Sequence, residues 1–249
     1  GGTISGSPPS STHTDTIDFI TMSMQSNAID FGNLTAQHLS FGASCGGNAT
    51  RGIFSFSMNN SRSIVGTIEF VTIAHTGNSN DFGDLIQTRQ TEQCSSSPTR
   101  TLFFGGFTPS RVETIDFITT ATIGNAFDFG DLTRPCGRAA PCGNATRGIY
   151  AGGEDIEGGS STLTDEAEKI EYATLGNAVE FGSVVGTDRE YGSAVSTPVR
   201  GVWSGGGPGS LTNTLTYQAL ATAGTGIDFG DMTAAYQSRG GFSNSHGGL

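Results

Sequence analysis

Cations are scarce in this chain: 249 residues hold a single lysine, Lys169, and 12 basic side chains in all against 23 acidic ones, a formal charge of −11. Phosphate binding needs clustered Lys and Arg, so nucleic acid and anionic membrane surfaces are excluded as partners. No apolar run approaches the roughly 18 residues that cross a bilayer as a helix, and no basic start followed by an apolar centre marks a signal peptide. Membrane insertion is therefore not expected. The chain starts at Gly1 without Met, which reads as processing or as part of a longer polypeptide. The 4 cysteines form no C-x-x-C pair and the 4 histidines are scattered, so neither a metal site nor a cofactor is expected. Cys136 and Cys142 lie close enough to close a small loop and are a candidate disulfide, whereas Cys45 and Cys94 share one repeat position and read as small buried thiols. Only 14% of the residues are charged, a composition common in secreted or virion β-proteins.

What is abundant is repetition. An aromatic strand, a Gly-Asn turn, an Asp-Phe-Gly step, a polar stretch and an Arg-Gly-aliphatic strand return five times, with the step phenylalanine at Phe31, Phe82, Phe129, Phe181 and Phe229. These positions are 51, 47, 52 and 48 residues apart. That period lies in the window of four-stranded propeller blades rather than helical repeats, and it fills the chain, leaving no room for a second fold. The expected fold is all-β, a single five-bladed β-propeller domain over 1–249 built of four-stranded antiparallel blades.

Within the first complete unit the strand candidates are A at about His38 to Ser44, B at Arg51 to Phe56, C at Thr67 to Ile73 and D at Asp81 to Ile86. Strand C alternates, with Ile68 and Phe70 on one face and Glu69 on the other, as a half-buried strand does. Gly-Asn pairs supply the C-to-D turns, and the glycine after each step phenylalanine marks a close approach of the neighbouring blade. Four blades cover about 35–86, 87–133, 134–185 and 186–234. The first unit lacks A and B and the last lacks C and D, so 1–34 and 235–249 together make the fifth, with both termini meeting inside its strand B and closing the ring.

Several tempting motifs carry no chemistry. Asp-Phe-Gly occurs four times, at Asp30, Asp81, Asp128 and Asp228, without the catalytic loop or strand lysine of a kinase, and its aspartate reads as a turn-satisfying group. Gly42-Ala43-Ser44-Cys45-Gly46 has the Gly-x-Ser-x-Gly spacing but no following helix and no shared histidine base. The A strands carry only Glu92, Asp188 and Glu190, short of the paired carboxylates of a glycosidase. The sequons at Asn33, Asn48, Asn59 and Asn144 read as turns. No catalytic residue is assigned and no enzyme is expected.

The remaining possibility is a binding or scaffolding surface. The B-to-C loops differ most between units, and the longest, from Glu154 to Glu168, is strongly acidic and reads as solvated. The D-to-A loops place His38, Arg89, Gln90, Arg138, Asp188, Arg189, Tyr191, Tyr236 and Arg239 at the mouth of the channel, as candidate ligand-binding residues suited to sugars. Trp203, on a B strand, reads as core.

Paired glycines after the B strand (Gly105-Gly106, Gly152-Gly153, Gly205-Gly206), then an aromatic on C and another on D, make the chain resemble the kelch-like repeat family over its whole length, with Phe where kelch repeats usually carry Trp at the second aromatic. The wording Thr-Ile-Asp-Phe-Ile-Thr, Thr-Ile-Gly-Asn-Ala and Asp-Phe-Gly-Asp-Leu-Thr is similar to kelch-like repeats in structural proteins of tailed bacteriophages, notably of cyanobacterial hosts. That resemblance implies a virion or extracellular setting: a tail-fibre, baseplate or capsid-decorating module that binds host cell-surface glycan or another virion protein, within a homo-oligomer or not. A structural protein-docking propeller is the alternative, and a cellular lectin trails both.

Overall fold

The computed structural model describes residues 2–5, 12–21, 23–39, 44–157, 160–183, 188–190, 192–207, 211–237 and 240–241. Every regular element among them is a strand. Four antiparallel sheets follow one another along the chain, each with its strands in sequence order. The first is Ser44–Gly47, Arg51–Ser55, Thr67–Thr72 and Asn80–Asp84. The second is Gln93–Ser96, Arg100–Phe104, Thr114–Thr119 and Phe127–Asp131. The third is Cys142–Gly143, Arg147–Ala151, Ala167–Glu171 and Val179–Ser183, to whose outer edge Gly224–Thr225 of the next unit adds in parallel. The fourth is Ser193–Ser196, Arg200–Ser204, Thr214–Ala219 and Ile227–Asp231. Ahead of them stands a two-stranded hairpin, Thr16–Phe19 with Ile29–Asn33, which has the sequence of a third and an outer strand.

Sheets face each other in order, and the apolar core is divided among the three junctions. Ile53, Ile68, Phe82 and Phe103 fill the first, Leu102, Ile115, Phe129, Tyr150 and Ile170 the second, and Ile149, Phe181, Trp203 and Leu220 the third. Each outer strand carries a bulge at its phenylalanine, visible as a register shift between Asp81 and Gly83 and between the partners of Gly130 and Asp128. The extra residue bends the strand and turns the ring inward, so Phe82, Phe129 and Phe181 are 1%, 2% and 1% exposed. The aspartate before it accepts the amide of the glycine after it, Gly83 N–H to Asp81 Oδ1 at 3.1 Å and Gly130 N–H to Asp128 Oδ1 at 3.1 Å, the turn-satisfying role expected for Asp-Phe-Gly. The glycine has no room for a side chain: a Cβ on Gly130, at φ +141°, would stand 2.6 Å from the Gly176 carbonyl of the next sheet.

Inner strands run four residues or fewer and start later than expected. Ser44–Gly47 is the first of them, while His38–Leu39 pairs separately with Met58–Asn59. Glu92, Asp188 and Glu190 therefore precede the inner strands instead of lying on them. The reason is that the D-to-A segment is spent on contacts with the double glycines: Gly106 donates to Cys136 O at 2.8 Å, and Gly206 to Tyr236 O at 2.8 Å. The turns after two of the inner strands use their sequon asparagines fully. Asn48 Oδ1 accepts from Thr50 N and Arg51 N, and its Nδ2 donates to Pro98 O at 3.0 Å; Asn144 repeats this with Thr146, Arg147 and Pro198.

Strand C is not half-buried. Glu69, Asp116 and Glu168 are as buried as the isoleucines beside them, because each carboxylate faces a backbone N–H of the chain leaving the previous unit. The expected meeting of the termini within one strand falls on Gly1 and 242–249, outside the described residues. Gly2–Ser5 itself pairs with Thr12–Thr14.

Candidate functional site on the loop face

Of the nine residues expected at the channel mouth, Tyr191 and Arg239 lie outside the described residues. Three others are spent on structure. His38 is buried, stacked on Phe56 at 3.8 Å between ring centres, with Nε2 donating to Glu69 Oε1 at 3.3 Å. Arg89 is fully buried, with one guanidinium nitrogen on Phe103 O at 3.2 Å and another 3.3 Å from Asp116 Oδ2. Arg189, at the equivalent place in the fourth unit, is buried and donates to Gly205 O at 3.3 Å. Gln90 exchanges backbone hydrogen bonds with Phe107. Tyr236 holds Gly206 through its carbonyl and keeps a side chain 37% exposed. Arg138 and Asp188 reach the surface.

Burial works against the charges that sit beside Arg89. Glu92 is fully buried, and burial pushes its carboxyl above the usual range although Ser55 Oγ and Ser57 Oγ both donate to it. Asp116 is also raised by burial, partly offset by the Arg89 guanidinium. These groups belong to the folded framework.

The surface chemistry gathers one unit further on. Cys136–Gly137, Glu154–Glu157 and Ser160–Leu163 form a small sheet that projects from the third unit. The acidic loop is thus a hairpin pinned by arginines and not a freely solvated segment. Arg111 and Arg138 both pair with Glu154, and Arg138 reaches Glu190 at 2.9 Å. Arg134 pairs with Asp155 at 3.2 Å and with Glu166, and donates to Thr164 Oγ1 at 3.2 Å. Beside this hairpin opens a basin of about 680 Å³, lined by Arg134, Asp155, Thr162, Leu163, Thr164, Asp165, Glu166 and Asp188. Four carboxylates against one guanidinium make it acidic, and three of its eight lining residues are Thr or Leu. The volume is within the few-hundred to 1,000 Å³ range of small-ligand clefts.

The second cavity is smaller, about 120 Å³, and lies among the inner strands. Cys45, Cys94 and Cys142 line it from the first three sheets, Ala194 from the fourth, and Gly241 from the C-terminal segment. A cavity of that size takes water and not a sugar ring. The Cys136–Cys142 bridge is not formed: Cys142 lies on the inner strand of the third sheet opposite Ile149, one repeat position after that of Cys45 and Cys94, while Cys136 lies in the projecting sheet with its Sγ toward Gly152 O, so the two belong to different sheets. Among the described residues no cluster of three His, Cys, Asp or Glu is arranged to hold a metal ion. No protein-family model matches the chain, and no curated protein matches it as a relative.

Sequence reasoning missed Arg134, Thr162 and Thr164 as members of the basin. The signal available was the length and acidity of the 154–168 loop, without its arginine partners: Arg134 and Arg138 come from the preceding D-to-A segment and Arg111 from the preceding unit's B-to-C loop.

Proposed function

We propose that this chain is a non-enzymatic recognition module of a virion surface: a kelch-like propeller of five four-stranded units, one of them shared by the two chain ends, that binds host cell-surface glycan on its loop face. What supports the reading is the basin between the projecting hairpin and Asp188. Its carboxylates accept hydrogen bonds from sugar hydroxyls, Thr162 and Thr164 add hydroxyl partners, and Leu163 offers an apolar contact. The excess of carboxylates favours a neutral or amino sugar over a sialylated or sulfated one, since an anionic ligand would be repelled.

A glycan array with the purified protein tests this. Binding to neutral glycans that falls at least tenfold in Asp188→Ala, an exposed position whose loss leaves the fold intact, is the expected result, because a hydrogen bond to a charged acceptor contributes about 1.5–3 kcal/mol. Silence across the array, together with density for the protein at a fixed virion contact, would favour the docking or capsid-decorating role instead.

A further inference from the structure

We propose that the end of the molecule opposite the loop face is a self-association surface, on which a second copy of this chain docks turn to turn about a two-fold axis. The inference rests neither on the glycan reading nor on how the two chain ends meet.

In each sheet the turn after the inner strand and the turn between the third and outer strands come to the same end. One backbone bond joins them every time: Ile73 N–H donates to Thr50 O at 3.0 Å, Thr120 to Thr99 O at 2.9 Å, Tyr172 to Thr146 O at 2.9 Å and Leu220 to Val199 O at 3.0 Å. Neighbouring sheets are laced together at that end. Arg51, Arg100 and Arg147 donate to the carbonyls of Thr120, Tyr172 and Leu220 in the next sheet, and the Asn48 and Asn144 carboxamides donate to Pro98 O and Pro198 O. The turns of the four sheets therefore form one continuous, hydrogen-bonded surface.

Its composition differs from that of the rest of the molecule. Residues 48–50, 73–79, 97–99, 120–126, 144–146, 173–178, 197–199 and 220–226 hold no Asp, Glu, Lys or Arg, in a chain of formal charge −11. They turn apolar side chains to solvent instead: Ile73 is 50% exposed, Ile123 57%, Leu175 60% and Val199 72%, with Ala121, Ala173 and Pro198 exposed beside them. The arginines at the base of the turns are already engaged, stacked on the Phe70, Phe117 and Tyr217 rings or paired with Glu171. The four large side chains present roughly 100 Å² each, a total at which an exposed patch marks an interaction site. Threonines, alanines and asparagines between them extend the end toward the roughly 800 Å² that each partner gives a stable interface.

The occupant follows from charge. An acidic or basic partner finds no counter-charge on these turns, so the complementary surface is itself uncharged. A second copy carries such a surface. A two-fold contact sets each residue against its own patch, where any charge would meet its like, and a patch without charge avoids that. The acidic hairpin beginning at Glu154 leaves the opposite end, between the second and third strands, so docking turn to turn also keeps the carboxylates of the two copies apart.

Sedimentation velocity of the purified protein from about 1 to 100 µM reads this directly. A monomer–dimer equilibrium with no larger species is expected, because a two-fold contact closes on itself. Added salt is expected to tighten it, since screening relieves the repulsion between two chains of charge −11 and takes nothing from an uncharged contact. Ile123→Glu and Leu175→Glu are each expected to weaken the dimer at least tenfold with the melting temperature unchanged, because both side chains are exposed in the monomer. Leu211→Glu is the control: it is 50% exposed, lies on a B-to-C loop at the other end and is expected to leave association as it was. Should glutamate disturb a turn, Ile123→Thr and Leu175→Thr combined in one chain remove the apolar contacts without adding charge. A monomer at every concentration, a dimer that survives these substitutions, a dimer weakened equally by Leu211→Glu, or a series of higher oligomers overturns the proposal. Glycan binding enters none of these readouts, so a silent array leaves the outcome unaffected.

Discussion

Glu168, buried in the third strand of the third sheet, accepts the Thr133 amide at 2.8 Å and the Thr133 hydroxyl at 2.7 Å, tying that sheet to the chain leaving the second one. A buried carboxylate holding two donors is expensive to remove, because the donors are left unsatisfied. Glu168→Leu is expected to cost about 2–3 kcal/mol and Glu168→Gln, which keeps one acceptor, about 1 kcal/mol, in urea unfolding. Equal and negligible costs would mean that the junction is held by the apolar contacts alone.

Glu69 makes stability depend on acid. Burial alone would raise its pKa, but hydrogen bonds from His38, Ser79 and Thr35 overcome burial and bring it down to about 2. A carboxyl that is depressed in the folded state adds stability above its unfolded value, roughly 4.3, and loses it as pH falls through that value toward the folded one. The contribution lost over that window is at most about 3 kcal/mol. Glu69→Gln is expected to flatten urea stability between pH 5 and 2.5 relative to the unsubstituted chain. Asp116 and Glu92, raised by burial, act in the opposite direction and remain in both proteins, so the difference isolates Glu69. An unchanged slope would show that Glu69 is not ionised in the folded protein.

The repeat made the sheets legible, and the reason is physical. Gly83, Gly130 and Gly182 stand where backbone meets backbone, and Phe82, Phe129 and Phe181 fill the space beside them, so steric necessity is written in the same residue types each time. Charge was less legible. Glu69 and its counterpart Glu168 are sealed against the chain leaving the preceding unit, whereas Lys169, the next residue and so on the opposite face of the strand, is part-exposed near Glu171. The same holds for the candidate site: Arg89 and Arg138 fall on corresponding D-to-A segments, but Arg89 turns inward to Asp116 while Arg138 turns outward to Glu154 and Glu190.

Cys136 and Cys142 are expected to be inert thiols. Burial pushes Cys136 up to about 12 and Cys142 higher still, so the thiolate that attacks reagents is nearly absent at pH 8. In titration with an aromatic disulfide reagent, neither should react until denaturant is added, and a reductant should leave the melting temperature unchanged. Rapid labelling of Cys136 in the native protein, or a melting temperature that falls on reduction, would contradict the placement of these side chains in separate sheets.

In the first two sheets the arginine that opens the second strand does two things at once. Arg100 lies 4.9 Å from the centre of the Phe117 ring in its own sheet, and its guanidinium donates to Tyr172 O in the next. Arg51 repeats both contacts with Phe70, at 4.7 Å, and Thr120 O, at 2.8 Å. A planar guanidinium stacks and donates simultaneously, whereas a lysine ammonium is a point charge that serves one geometry or the other. Arg100→Lys is therefore expected to lose about 1 kcal/mol and Arg100→Ala about 2 kcal/mol, with the double variant Arg100→Ala/Phe117→Leu costing less than the two single changes added together. Strict additivity in that cycle would mean that the ring and the guanidinium are neighbours without energetic coupling, and the recurrence of arginine at this position would then follow from its bond to the next sheet alone.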